Sequence, residues 1–210
     1  HIAVDLVEEG ILTQSEAVMN VEVKSIDQLL HPSFDAQALQ QATIISKLGL
    51  PASPGAASGK IVFSAEEAKI QHEQGERVIL MRPETSPEDI EGMIASEAIV
   101  TTHGGMTSHA AVVARGMGKC CVTGCSDLEI NVVDKVVKYG TGTLKEGDMI
   151  SVDGAKGDIY FGEVATMKAE RSHAFEQFMK WSKDIARLDV RMNAETPQDI
   201  QAGYQFCATG

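Results

Sequence analysis

The sequence lacks any run of roughly 18 or more consecutive apolar residues, the length a helix needs to cross a bilayer. It also lacks a basic segment followed by an apolar one at its start, so no secretory signal is predicted. Basic residues are few, since 18 Lys and Arg stand against 30 Asp and Glu and give a net charge of −12. Nucleic-acid and membrane partners are therefore not expected, because phosphate-rich surfaces attract basic proteins.

Carboxylates are themselves missing from one stretch of this acidic chain. No Asp or Glu occurs from Ala98 to Ser126, a segment that carries His103, His109, Arg115 and Lys119. One interpretation is a buried strand and helix, which exclude charge, and composition alone favours it. The other is a segment that must receive a negatively charged ligand.

The four cysteines form no Cys-x-x-Cys pair of the kind that holds zinc. Cys120 and Cys121 fall in a strand-like run, where neighbouring side chains point to opposite faces. We therefore expect Cys120, Cys121 and Cys125 to be buried free thiols in a reducing compartment, and we predict no metal site in this chain. A cytoplasmic location is expected, and organellar targeting stays open.

The residue composition and the pattern of apolar residues change near residue 48. Residues 1–47 predict short helices, two of them opened by the capping-box pairs Thr13 with Glu16 and Ser25 with Gln28. Residues 48–163 predict a mixed α/β domain, because strand-like runs alternate with capped helical segments. Its predicted strands are residues 60–63, 78–81, 98–101, 132–139 and 148–161.

A long helix is predicted after this domain. Apolar residues from Val164 to Ile185 recur at spacings compatible with 3.6 residues per turn, and a helix over 163–188 would be about 39 Å long. Residues 190–193 predict a further strand, and residues 190–210 the opening of another domain. Because the chain also starts at His1 rather than Met, we expect it to be a part of a longer polypeptide.

The segment from Thr101 to Gly116 contains the residues with the clearest chemistry. A strand leads into Gly104 and Gly105, and Thr107 or Ser108 caps a helix of small apolar residues. His109 falls in the first turn of that helix, where free backbone N–H groups and the helix dipole favour an anion and disfavour a protonated imidazole. Gly104, Gly105, Thr107 and Ser108 are the candidate phosphate-binding residues, and His109 is the candidate nucleophile.

This segment, from Gly104 to Gly118, resembles the phosphohistidine signature of the pyruvate phosphate dikinase family. Further blocks resemble that family at Leu29–Pro32, Leu50–Gly55, Ser58–Lys60, Arg82–Asp89, Asp153–Gly154 with Gly157, and Arg191–Pro197. His103 departs from the pattern, because arginine is common there, and its contribution to phosphate binding stays open. Two related carriers remain alternatives: phosphoenolpyruvate synthase, which usually has Cys in place of Ser108, and enzyme I of the sugar phosphotransferase system, which has bulkier flanking residues.

The resemblance implies a three-domain enzyme that converts ATP, phosphate and pyruvate into AMP, pyrophosphate and phosphoenolpyruvate. It implies that His109 carries the phosphoryl group between an ATP/phosphate-binding domain and a pyruvate/phosphoenolpyruvate-binding domain of the same polypeptide, which is commonly a homodimer. It also implies that Mg²⁺ is held by the other domains and that this fragment alone does not turn over. A fragment that only binds partners, without catalysis, is the alternative from a different class.

The resemblance further implies an assignment for each segment. Residues 1–47 are the helical linker from the nucleotide-binding domain, and residues 48–163 are a swivelling β/β/α phosphohistidine domain. Residues 164–189 are a linker helix, and residues 190–210 open the pyruvate/phosphoenolpyruvate-binding barrel. Thr107 matches a threonine that plant members phosphorylate for regulation, and a plain capping or phosphate-binding role for Thr107 is the alternative.

Overall fold

The computed structural model describes residues 1–167, 172–189 and 191. The helices in chain order are α1 (Ile2–Glu8), α2 (Gln14–Asn20), α3 (Val23–Leu29), α4 (Ala36–Gln41), α5 (Ala65–Glu73), a 3-10 helix (Pro87–Asp89), α6 (Ile90–Ala95), α7 (His109–Gly116) and α8 (His173–Ile185). The strands are β1 (Ser33–Phe34), β2 (Ile44–Ser46), β3 (Leu50–Ser53), β4 (Ala56–Val62), β5 (Val78–Arg82), β6 (Ala98–Thr101), β7 (Cys120–Thr123), β8 (Leu128–Asn131), β9 (Val136–Tyr139), β10 (Gly142–Lys145), β11 (Met149–Asp153), β12 (Asp158–Phe161) and β13 (Thr166–Met167).

The chain divides into two compact units. Gln28–Ala169 form the sheet unit, and His1–Asp27 group with Glu170–Gly210 as the helical unit. This division lies near residue 28 rather than at the predicted boundary of 48, because β1, α4 and β2 pack with the sheet unit. Ile44–Ser46 is itself a strand of the large sheet.

An eight-stranded sheet, in the order β2-β12-β11-β4-β5-β6-β7-β3, forms the centre of the sheet unit. Strands β4, β5, β6 and β7 are parallel neighbours, and the remaining pairs are antiparallel. Strands β5, β6 and β7 are mostly apolar along both faces, as expected where a sheet is covered on both sides. The predicted mixed α/β class is confirmed.

The two faces of this sheet carry different layers. On one face, Val78, Leu80 and Ile99 pack against apolar residues of α5, α6 and α7. On the other face, Ile79 and Met81 pack with residues of a three-stranded antiparallel sheet, ordered β10-β9-β8. The alternation along β5 thus divides its side chains between a helical layer and a second sheet.

The small sheet corrects one predicted strand. Residues 132–139 do not form one strand, because a turn separates β8 from β9. Asn131 Oδ1 accepts hydrogen bonds from the backbone N–H groups of Val133 and Asp134, both at 3.0 Å, and Lys135 has φ 53°. Lys135 forms ion pairs with Glu67 of α5 and with Glu146, which tie this turn to its neighbours.

The β11–β12 hairpin lies against the chain around β3. A Cβ on Gly154 would be 2.1 Å from Ser53 O, and a Cβ on Gly157 would be 2.1 Å from Gly49 O. Gly157 also has φ +84°, which a side chain disfavours. Only glycine fits at this close approach. The hairpin lies towards the β2 edge of the eight-stranded sheet and β3 forms the opposite edge, so the two edges come close to each other.

The chain enters and leaves the sheet unit at adjacent places. Ser33 is paired with Met167 and Phe34 with Thr166 in an antiparallel ladder of β1 and β13. The predicted helix over 163–188 is therefore wrong at its start, since Val164 is buried in the sheet unit and β13 follows it. The helix begins at His173, where Ser172 Oγ accepts from the Phe175 N–H at 3.2 Å.

Within the helical unit, α1, α2 and α8 share a small apolar core around Val4, Phe178 and Trp181. The capping box predicted at Thr13 and Glu16 is present at the start of α2. The second predicted box is wrong, because α3 already begins at Val23, before Ser25. The 13 residues of α8 span about 20 Å, half the predicted length. The predicted strand at 190–193 and domain opening at 190–210 lie, apart from Arg191, outside the described residues.

No helix in the described ranges combines the length and the apolar character that a membrane-spanning helix requires.

Candidate functional site

The candidate site lies where the parallel strands β5 and β6 end and α7 begins. Arg82, the last residue of β5, is paired with Thr101, the last residue of β6. The loop after β5 and the longer loop after β6 therefore leave the same edge of the sheet. In α/β sheets this carboxyl edge is where ligands bind.

α7 begins in the way the sequence predicts. Ser108 is its N-cap, with φ −64° and ψ 161°, and Ser108 Oγ accepts from the Ala111 N–H at 3.4 Å. Ala110, Ala111 and Ala114 are buried against the sheet, and their small side chains let the helix lie close to it. His109 is the first helical residue and is half-buried.

Gly104 and Gly105, the two glycines before α7, differ in whether the fold requires glycine at that position. Gly104 has φ +96°, and a Cβ there would lie 2.8 Å from the Cβ of Ser108. Only glycine suits that position, because a side chain would meet both strain and a clash. A Cβ on Gly105 would have nothing within 4 Å, so the fold does not require glycine there.

The turn and the first helical residues present several unused N–H groups. From Gly104 to Ala111, the Ser108 N–H donates to Gly105 O at 3.0 Å and the Ala111 N–H to Ser108 Oγ at 3.4 Å. The other backbone N–H groups of that segment have no acceptor within the part of the chain that the structure describes. Unused amides at a helix N-terminus favour an anion, as predicted for this loop.

One contact at His109 is absent from the sequence predictions. Thr85 Oγ1 lies 2.9 Å from His109 Nδ1, within hydrogen-bond distance. Thr85 follows β5, and only 9% of its surface is exposed. The block Arg82–Asp89 is itself visible in the sequence, yet nothing in it indicates which of its residues meets a histidine 24 positions away.

The loop that carries Thr85 is held by its own polar contacts. Asp89 Oδ2 accepts from the Ser86 N–H at 2.9 Å, which closes the loop at the start of the 3-10 helix. Arg82 Nη1 donates to Phe63 O at 3.2 Å, and Arg82 Nε lies 3.8 Å from Asp89 Oδ2. Asp89 is buried, so this loop has little freedom to move Thr85 away from α7.

Arg115 connects the last turn of α7 with the loop before it. Its Nη2 donates to Met106 O at 2.6 Å, and its Nη1 donates to Ala52 O at 3.2 Å. Arg115 thereby fixes the path of the segment that holds Thr107, whose own side chain is exposed. His103 is also exposed, and its backbone N–H donates to Pro83 O at 2.8 Å.

Cys120, Cys121 and Cys125 are buried free thiols, as the sequence predicts. Cys120 belongs to the core between the two sheets and Cys121 to the core beneath the helices, so the neighbours do point to opposite faces. Burial raises the pKa of the Cys121 thiol to about 12 and that of Cys125 to about 12, and it also raises the pKa of Cys120. Among the described residues, no group of three or more His, Cys, Asp or Glu side chains is arranged to hold a metal ion.

Known proteins are similar in sequence to this chain over its whole length. Residues 74–157 match the family model described as "PEP-utilising enzyme, mobile domain". The chain is 55% identical over 210 residues to "Pyruvate, phosphate dikinase" of Clostridium symbiosum, of which it spans 24%. It is 49% identical over 209 residues to "Pyruvate, phosphate dikinase 1, chloroplastic" of Arabidopsis thaliana, of which it spans 22%. It is 48% identical over 209 residues to "Pyruvate, phosphate dikinase" of Rhizobium meliloti, of which it spans 23%.

The chain thus spans about a quarter of the length of these relatives. The family model covers most of the parallel strands, the loops after β5 and β6, and all of α7. The resemblance predicted from Gly104–Gly118 is confirmed. Residues 74–157, which lie within the sheet unit, match the mobile domain of PEP-utilising enzymes, and the whole chain is similar to one part of these pyruvate, phosphate dikinases.

Proposed function

We propose that His109 is the transient phosphoryl carrier of a pyruvate, phosphate dikinase. In the whole polypeptide it would take a phosphoryl group derived from ATP and phosphate and deliver it to pyruvate, forming phosphoenolpyruvate, AMP and pyrophosphate. The observation that carries this proposal is the placement of His109, an imidazole at the first residue of α7 beside a turn of unused backbone N–H groups. A nucleophile and an anion-binding loop are what phosphoryl transfer requires of a carrier.

The stoichiometry requires three displacements at phosphorus. A lone pair on an imidazole nitrogen of His109 attacks the β-phosphorus of ATP, and AMP leaves with the electron pair of the broken P–O bond, so that a pyrophosphoryl group remains on the ring. Inorganic phosphate then attacks the terminal phosphorus of that group, and pyrophosphate leaves once the bond to the bridging oxygen breaks. Finally the enolate oxygen, formed when pyruvate loses a methyl proton, attacks the remaining phosphorus, and the N–P bond returns its pair to the imidazole. Backbone N–H groups near Gly105 and the hydroxyls of Thr107 and Ser108 would stabilise the negative oxygens.

Other parts of the polypeptide would supply the remaining chemistry. The relatives are about four times longer than this chain, which leaves room for the ATP/phosphate-binding and pyruvate/phosphoenolpyruvate-binding domains. When bound, Mg²⁺ neutralises phosphate charge. The residues around His109 do not fit a Mg²⁺ site, because among the described residues no group of three or more His, Cys, Asp or Glu side chains is arranged to hold a metal ion. We therefore assign Mg²⁺ to the other domains, and we propose a homodimer formed through them.

A carrier that serves two distant sites has to travel between them. We propose that the sheet unit moves as a body, with the flanking residues 1–27 and 170–189 as its connections and 190–210 as the start of the pyruvate/phosphoenolpyruvate-binding barrel. The paired strands β1 and β13 support this proposal, since both connections leave the sheet unit at the same place. Motion about one such point changes the position of His109 without changing its immediate surroundings.

The proposal is tested by labelling the full-length polypeptide with phosphoenolpyruvate radioactive at phosphorus. We expect an acid-labile, base-stable label in the wild type, no label in His109→Ala, and an unchanged label in His72→Ala, whose histidine is exposed on α5. The absence of label in a folded wild-type protein would overturn the carrier role and favour a module that only binds partners. A label retained in His109→Ala would place the nucleophile elsewhere.

Thr107 is a further candidate for modification. Its side chain is exposed two residues before His109, so it is accessible to a kinase. A phosphate on Thr107 would place negative charge beside the nucleophile and repel the incoming phosphoryl group. We propose that, where Thr107 is phosphorylated, His109 is not labelled.

A further inference from the structure

The hydrogen bond between Thr85 and His109 has a direction that matters for the chemistry. Nδ1 of His109 is 2.9 Å from Thr85 Oγ1, and either atom can be the donor, depending on the tautomer of the imidazole. We infer that Thr85 accepts the Nδ1–H of His109 and thereby keeps the lone pair on Nε2, which makes Thr85 a positioning residue for the phosphoryl carrier. This inference rests on the proposed function of His109.

The choice of direction follows from the needs of a nucleophile. A neutral imidazole has one N–H and one nitrogen with a free lone pair. If Thr85 donated to Nδ1, the proton would reside on Nε2, and the lone pair of Nδ1 would already be used. If Nδ1–H donates to Thr85, the lone pair on Nε2 is free to form the bond to phosphorus.

The same hydrogen bond strengthens during the transfer. When Nε2 bonds to phosphorus, the ring acquires positive charge that it shares with the Nδ1–H. A hydrogen bond from a charged donor is stronger than one from a neutral donor. Thr85 Oγ1 therefore stabilises the phosphorylated ring more than the free ring, and no proton has to leave Nδ1 when the phosphoryl group arrives or departs.

Thr85 is the hydroxyl that the fold holds in place for this purpose. Ser108 Oγ already accepts the Ala111 N–H as the cap of α7, and the Thr107 side chain is exposed. Thr85 is buried, and the bond from the Ser86 N–H to Asp89 Oδ2 fixes the loop directly after it. A buried hydroxyl fixed at this place holds the ring in one orientation, and in the acceptor role inferred for it, it keeps the proton on Nδ1, as the partner of the other ring nitrogen does in metal and catalytic histidines.

The tautomer is measured directly by ¹⁵N NMR of the histidine ring in the 210-residue chain, without any phosphorylation. We expect the Nδ1–H form of His109 in the wild type, a shift towards the Nε2–H form in Thr85→Val, and the wild-type form in Thr85→Ser. Thr102→Val serves as the matched control. It removes a hydroxyl in the neighbouring loop that donates to Pro83 O at 3.4 Å, and it should leave the tautomer unchanged.

The consequence for transfer is measured in the full-length polypeptide as the rate of His109 labelling by phosphoenolpyruvate. We expect a loss of about tenfold in Thr85→Val, because one hydrogen bond to a charged ring is removed, and recovery to within about twofold in Thr85→Ser. A loss of activity through poor folding would also reduce the label, but it would not convert the tautomer in a chain whose other amide signals are unchanged.

The outcomes separate this inference from the proposal on which it rests. The role of Thr85 is overturned if wild-type His109 is in the Nε2–H form, or if Thr85→Val changes neither the tautomer nor the labelling rate. In both cases the carrier role of His109 stands as long as His109 is labelled. An unlabelled wild-type His109 overturns the carrier role, and the positioning role with it, whatever the tautomer.

Discussion

Replacing Gly157 by alanine tests how the β11–β12 hairpin is held against the chain at Gly49. Gly157 has φ +84°, and its missing Cβ would lie 2.1 Å from Gly49 O. Gly147 also has φ +84°, but a Cβ there would have nothing within 4 Å. The two glycines share the same φ and differ in the space around them, which makes Gly147→Ala the matched control.

The expected costs follow from this difference. A residue with a Cβ loses about 1–2 kcal/mol in the left-handed conformation, so Gly147→Ala should lower the free energy of unfolding of the sheet unit by that amount. Gly157→Ala carries the same loss, and it must also displace backbone atoms, since the clashing group is a carbonyl. Overpacking of this kind costs a further 1–3 kcal/mol or so, and this is the expected difference between the variants.

The assay has to report on the sheet unit rather than on the whole chain. Trp181 lies in the helical unit, so its fluorescence follows the wrong part of the molecule. Native-state hydrogen exchange of the buried amides in β5 and β6 gives the free energy of unfolding of the sheet unit itself. Equal losses in the two variants would refute the reasoning, because they would mean that the close approach to Gly49 costs nothing to relieve.

Two further predictions concern the interior of the sheet unit. Ser151→Ala removes a buried hydroxyl that donates to Gly162 O at 2.8 Å and accepts from the Val164 N–H at 2.9 Å. In urea titrations we expect Ser151→Ala to lower the free energy of unfolding by about 3 kcal/mol. The control is Ser126→Ala at an exposed position, which should lower it by less than about 0.5 kcal/mol, and equal effects of the two variants would contradict the prediction. Burial raises the Cys121 pKa from 9.0 to about 12, so above about pH 9 the unfolded chain binds fewer protons and stability falls as pH rises. Cys121→Ala should make that decline shallower by about 1.4 kcal/mol per pH unit, and an unchanged slope would show that the thiol ionises equally in both states.

Much of the sheet unit is predictable from local sequence. The strands predicted at 78–81 and 98–101 are present as β5 and β6, because four consecutive apolar residues in a buried parallel strand have no competing pattern. The helix at His109 is equally local, since its cap and its alanines lie next to one another in the sequence. These features need no knowledge of distant parts of the chain.

The wrong or missing predictions concern places where a segment distant in the sequence determines the local structure. Val164 and Met167 fit a helical stripe, yet β13 exists because Ser33 and Phe34 offer it a strand to pair with. The Thr85 contact is likewise invisible, since it depends on two loops leaving one edge of the sheet. Hydrophobic periodicity records which residues are buried, but it does not record which segments meet.

The pairing of Ser33 with Met167 and of Phe34 with Thr166 means that the two ends of the sheet unit are neighbours. A unit whose ends meet fits into a surface loop of another protein without stretching the host chain. Residues 33–167 are therefore suited to transfer as a cassette. Insertion of this segment into a surface loop would give a recipient polypeptide the whole site around His109 while leaving the recipient's own fold uninterrupted.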